Sequence, residues 1–278
     1  MQSNTATFSA YLNDSLARAV KLVLGLALIL GAIPAFAGLP LETETARLPM
    51  RKSLTVAGAF EFQTSHEGTE KAAPFALEYG LADRLELLVE PVFYTAITPK
   101  TGPHTTGLGD LETTLTWLAL HERPNRPAIA LAGEIKIPTA HSVQIGTGKA
   151  DLASYVVASK ELGRWDTHAN LSYTIVGQPA GQQLNNLLGY AAAIEYHAAQ
   201  KWDIVSEVFG NTSALKETAD PIQGTGESAV TPEASGGELV EMLGLRYLIS
   251  PNVHLSFGVS HDNSNAWLFA PGLEFHTK

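Results

Sequence analysis

The sequence predicts an all-β fold: a transmembrane antiparallel up-and-down β-barrel of about twelve strands, of the bacterial outer-membrane type. Three observations predict it. The chain opens with an export signal. It carries few charges yet lacks a long apolar run. Its residues alternate between apolar and polar, in segments joined by connections of two sorts.

The export signal comes first. Arg18 and Lys21 precede the apolar run Leu22 to Ile33, followed by Pro34 and Ala35-Phe36-Ala37. A basic region, a short apolar stretch and an A-x-A site form a cleavable secretory signal. The run is shorter than the roughly 20 apolar residues of a transmembrane helix. The expected division is residues 1–37 as signal peptide, 38–52 as a periplasmic N-terminal segment and 53–278 as the barrel.

Composition narrows the class further. The 18 basic residues lose Arg18 and Lys21 with the leader, and the 28 acidic ones lose Asp14, leaving 16 against 27. A mature chain near −11 does not suit a nucleic-acid partner. Cysteine is absent, which excludes a disulfide scaffold and thiolate chemistry. Charged residues make up 17% of the chain, below the usual quarter or so. A barrel explains the combination, because its lipid face is spread over alternate residues instead of one run.

The period is clearest from Ala128 to Thr139. Ile129, Leu131, Gly133, Ile135 and Ile137 share one face, and Ala130, Ala132, Glu134 and Lys136 the other. Successive strand side chains point to opposite sides, whereas a helix would scatter these sets. The same reading places strands near 53–63, 73–82, 84–96, 110–121, 128–139 and 150–162. It continues near 167–177, 187–198, 202–212, 238–249, 252–261 and 266–276. The phase of 150–162 reads either way.

Five short connections, such as Ala82-Asp83 and Ser250-Pro251-Asn252, alternate with six longer polar ones. Outer-membrane barrels have short periplasmic turns and longer external loops. The expected orientation therefore puts both termini in the periplasm. Trp165 and Trp202 beside short turns, and Tyr94 and Trp267 near long ones, suit membrane interfaces.

Several stretches resemble a known family. They are Gly107-Leu108-Gly109-Asp110-Leu111, Lys136-Ile137-Pro138-Thr139 with Gly146-Thr147-Gly148-Lys149-Ala150-Asp151, and Ser159-Lys160-Glu161-Leu162-Gly163. His168 to Tyr173 and Gly244 to Pro251 complete the set. In this order they resemble the outer-membrane proteins of the meta-pathway phenol-degradation family. The resemblance implies an outer-membrane barrel with a transporter-like role and brings no catalytic residues. The tail departs from the usual terminal aromatic recognised during assembly, because His276, Thr277 and Lys278 follow Phe275.

Inward-facing charge supplies the candidate site. The phasing turns Glu61, Glu78, Glu86, Glu90 and Glu112 into the lumen. It does the same for Glu134, Glu195, Glu207 and Glu274, with Lys136 and Arg246 beside them. An acidic lining favours cations in a water-filled pore; the alternative is a lumen plugged by hydrogen-bonded side chains. Ser260 to Asn265 and His168-Ala169-Asn170-Leu171-Ser172 hold the residue types of a lipase. They read better as turn formers and inward polar residues, so no catalytic residue is expected. The nine histidines show no ligand spacing in sequence, and neither metal nor cofactor is expected.

The expected function is passive uptake of small molecules, aromatic or hydrophobic ones among them, by an outer-membrane channel. The alternatives are a surface-interaction barrel with a filled lumen and a secreted soluble β-protein. Expected partners are outer-membrane lipid and lipopolysaccharide, the barrel-assembly machinery and the solute, with no nucleic acid.

Overall fold

The computed structural model describes residues 39, 41–181, 183–214 and 237–277. The expected leader, and most of the connection 213–237, lie outside the described residues. Period-two patterning becomes fourteen strands. They are β1 Leu54–Ala59, β2 Glu61–Thr64, β3 Gly68–Ala82, β4 Leu85–Pro99, β5 Thr105–Gly107, β6 Leu111–Leu120 and β7 Ala128–Ile137. They continue with β8 Asp151–Leu162, β9 Trp165–Ile175, β10 Leu187–Ala199, β11 Trp202–Asn211, β12 Glu238–Ser250, β13 Val253–Asp262 and β14 Trp267–His276.

These make a closed barrel of twelve staves. β1 and β2 are one stave broken at Phe60, and both lie between β3 and β14. β5 is a short addition to β4. Every named pairing is antiparallel, and Thr55 opposite His276 belongs to the seam that closes the ring. Closure removes sheet edges, the condition for crossing lipid with strands. Among the described residues no helix is long and apolar enough to cross a membrane.

The outward face is apolar. Leu131, Leu152, Leu171, Ile175, Leu188 and Leu243 all lie exposed. β8 takes one of its two phases, with Leu152, Ser154 and Val156 outward and Val157 and Ser159 inward. At the short-turn end Trp165 packs on Tyr196 and Trp202 on Tyr247, with ring centroids 4.4 and 4.6 Å apart. Arg164 sits over Tyr196 and Lys201 over Tyr247. Such amphipathic pairs suit an interface, with a ring in apolar surroundings and a cation in water.

Two boundaries differ from the sequence reading. β3 begins at Gly68 instead of near 73, so the first long connection shrinks to Ser65–Glu67, closed by Ser65 N–H to the Gly68 carbonyl at 2.9 Å. β4 runs on to Pro99 and pairs with β5. The added residues are Gly68 to Ala72, with the polar run Thr69-Glu70-Lys71, and Ile97 to Pro99. A strand extension without one apolar face carries no amphipathic signal.

Gly80 fixes where the chain enters the barrel. Its N–H donates to the Ser53 carbonyl at 3.1 Å, and its carbonyl accepts from Lys52 N–H at 2.7 Å. A Cβ there would stand 2.1 Å from the Met50 carbonyl oxygen. Only glycine lets the preceding segment pass so close.

Candidate functional site

The segment before β1 is the first element of the site. The stretch expected as a periplasmic extension instead packs inside the barrel as a strap. Arg47 anchors it at the short-turn end: Nε and Nη2 donate to the two Asp166 carboxylate oxygens at 2.6 and 2.7 Å. Its Nη2 also lies 3.0 Å from Glu122 Oε2. Ala46 N–H donates to Ser159 Oγ at 2.9 Å, and Ser159 bonds His168 Nδ1 at 2.8 Å. Asn170, with its amide turned to satisfy both ends, donates to the Glu44 carbonyl at 3.0 Å and accepts from Glu44 N–H at 2.6 Å. Glu42 N–H donates to Glu207 Oε2 at 3.0 Å, and Thr43 Oγ1 donates to Glu207 Oε1. Ala46 and Leu48 pack on Leu118, Ala128, Ala130, Val157 and Tyr155 in a small apolar cluster. Polar inward residues of three strands thus satisfy the backbone of a segment with no strand partner of its own.

Electrostatics at the anchor reinforce it. Burial pushes the Glu122 carboxyl upward. Hydrogen bonds from Lys160, Glu161 N–H and Arg47 outweigh burial and hold it below its ordinary value. Burial likewise disfavours the Arg47 charge, and Asp166 and Glu122 more than restore it.

A cavity of about 400 Å³ remains beside the strap. Glu42 and Glu44 of the strap line it, with Glu78, Glu86, Glu90, Glu112, Glu134, Glu238 and Glu274 of the wall. Tyr155, Phe209, Leu88 and Leu187 add apolar surface. Register explains the acidic rows: Glu90 stands opposite Glu112, Glu112 opposite Lys136, and Lys136 opposite Asp151. Lys136 forms an ion pair with Asp151, so its charge is already engaged. Tyr155 Oη donates to Glu134 Oε2 at 2.9 Å.

Residues 55–273 match the family model described as "Putative MetA-pathway of phenol degradation". The chain belongs to this family. No curated protein sequence matches it. Among solved structures, this phenol-degradation-family barrel is similar to an outer-membrane channel from Pseudomonas putida F1. The TM-score is 0.65 at 11% identity, over 86% of this chain and 100% of that one. It is also similar to the NanC porin, with TM-score 0.56 at 10% identity over 80% and 98% of the two chains. The KdgM porin, in complex with disordered oligogalacturonate, gives 0.51 at 8% identity over 80% and 98%. At these identities the likeness is one of fold.

The family barrel distributes its sequence-predicted residues unevenly. Glu78, Glu90, Glu112, Glu134 and Glu274 meet at the cavity. Glu207 holds the strap. Glu195 and Arg246 are buried against one another. Glu61 sits half-buried on β2. Sequence reasoning missed Glu42 and Glu44, because their segment has no strand partner to set its phase.

In the first lipase-like cluster the polar side chains shape a turn, and in the second Asn170 holds the strap while Ser172 lines the cavity. Asp262 Oδ1 accepts Ser264 N–H at 2.9 Å and Ala266 N–H at 2.7 Å, shaping the β13–β14 turn. Ser159, His168 and Asp166 lie close enough to suggest a triad, with His168 Nε2 3.9 Å from Asp166 Oδ2. Ser159 is 1% exposed, however, and accepts the strap's N–H. A nucleophile needs access to its substrate, and this hydroxyl has none.

Proposed function

We propose that this protein is a passive outer-membrane channel for small solutes, neutral or cationic, with aromatic or hydrophobic molecules among them. The observation that carries the reading is the cavity inside a closed barrel, lined by carboxylates from both strap and wall. Two carboxylates directly opposite on neighbouring strands, about 5 Å apart, repel by about 3 kcal/mol when both are charged at an effective dielectric near 20. The same field attracts a mobile cation and rejects an anion. Acceptor-rich walls beside Phe209 also suit a planar solute that donates a hydroxyl. The aromatic class rests on the family, whose description refers to phenol degradation. The channel and porin relatives support the transport role by likeness of fold.

Glu61, Glu78, Glu90, Glu112, Glu134 and Glu274 then act in selectivity, and no residue acts in catalysis. Cleavage after Ala37 would start the mature chain just before the strap. Lipopolysaccharide and the barrel-assembly machinery are the partners such a barrel requires in its membrane.

The strap favours a second reading, a barrel whose lumen is filled and transports nothing. Solute entry into liposomes carrying the purified protein separates the two. Faster entry of small phenolic solutes than of benzoate-like anions of equal size supports the channel. Impermeability to both, persisting after deletion of residues 39–47, supports the filled barrel.

A further inference from the structure

At the barrel's closing seam, three inward side chains converge. His254 on β13 stands directly opposite Glu274 on β14. His276 lies two residues beyond Glu274, on the same face of β14. All three are at most 4% exposed. His254 Nδ1 and Glu274 Oε2 are buried and make no hydrogen bond among the described residues, and His276 Nε2 has Glu274 Oε1 beside it at 2.6 Å. Unpaired buried polar atoms are costly, and their convergence calls for a ligand.

We propose that His254, Glu274 and His276 bind a divalent transition-metal ion of the zinc type. One ligand atom from each residue lies within 4.8 Å of the other two, and His276 Nε2 is 2.6 Å from Glu274 Oε1. Ligands about 2.0–2.1 Å from a tetrahedral ion stand about 3.3 Å apart, a spacing these values bracket. Two imidazoles and one carboxylate suit zinc, cobalt or nickel; calcium and magnesium require mostly oxygen. Thr55 Oγ1 lies 3.1 Å from His276 Nδ1. That contact can take the Nδ1 proton and turn Nε2 toward Glu274, the place an outer partner of a metal-bound histidine occupies. Glu274 lines the cavity, which gives the ion a path from the lumen and leaves a fourth position for water.

The neighbouring charges permit a cation. Arg246 is the nearby fixed positive group, and Glu195 already holds it. A second trio, Glu195, His197 and Asp203, has ligand atoms equally close. It differs in two ways: Glu195 is held by Arg246, and His197 is 39% exposed. A metal at the first trio would tie β13 to β14, and through Thr55 to β1, where the ring closes.

Cobalt(II) titration of the purified, metal-stripped full barrel tests the site. One tightly bound equivalent with the strong visible absorption of tetrahedral cobalt, displaced by zinc and not by calcium, is expected. His254→Asn and Glu274→Gln, each checked by heat-modifiable gel migration, should abolish the signal. Thr55→Val should weaken binding by about tenfold, and His197→Asn should leave it unchanged. If Glu274→Gln fails to assemble, His254→Asn and Thr55→Val carry the test. Absence of binding to the wild-type barrel overturns the proposal, as does binding that survives His254→Asn or is lost in His197→Asn.

Discussion

Arg246 on β12 reaches across β11 to Glu195 on β10, its Nη1 donating to both carboxylate oxygens at 2.9 Å. Both side chains are sealed, at 0% and 4% exposure. The pair ties staves two apart, which backbone hydrogen bonding does not do. A buried pair contributes modestly when intact, because desolvation offsets attraction, but a lone partner is expensive. Arg246→Met or Glu195→Ala alone should destabilise the barrel by about 3–5 kcal/mol. The double variant should recover much of that loss. Denaturant unfolding in lipid vesicles, run as a double-mutant cycle, measures it.

The strap is held by a few named contacts, so it can be released. Arg47→Ala removes the bonds to Asp166 and Glu122, and Ser159→Ala leaves the Ala46 N–H unpaired. An unsatisfied buried donor costs about 1–3 kcal/mol. The two changes together should raise single-channel conductance several-fold in planar bilayers while the barrel stays folded. Unchanged conductance would place the constriction elsewhere.

Acid should loosen the same anchor. Glu122 has a lowered carboxyl, so its contribution is present above the ordinary carboxyl value of 4.5 and is lost as pH falls through the lower folded value. Conductance should therefore rise in strongly acidic buffer, below the ordinary carboxyl range, and Glu122→Gln should blunt that rise. Recordings across a pH series compare the two proteins.

The outward phase of β9 and β12 is testable by charge. Leu171 and Leu243 are 61% and 62% exposed. Arginine at either should cost about 2–4 kcal/mol if it falls near the bilayer midplane. Leu171→Ser should cost less. Refolding yields and unfolding free energies in vesicles give the comparison.

Much of the fold was legible because each strand has one apolar face. Ile129 to Ile137 reads as a strand without reference to any other segment. Gly68 to Lys71 does not, since the apolar face of β3 begins only at Phe75. The acidic wall was legible by the same alternation: a carboxylate between lipid-facing residues must turn inward. The strap was not, because Glu42 and Glu44 are positioned by Glu207, Ser159 and Asn170, more than a hundred residues away. His254 and Glu274 met only through antiparallel register, which no local histidine spacing encodes.

The central claim is that carboxylates from wall and strap set the passage of solutes through the lumen. The reversal potential of the purified protein in a salt gradient across a planar bilayer tests it most directly. It should be measured beside the triple variant Glu90→Gln, Glu112→Gln, Glu134→Gln. We expect a cation-selective wild type and weakened selectivity in the triple variant. An anion-selective wild type, or selectivity unmoved by removing the three carboxylates, would contradict the account.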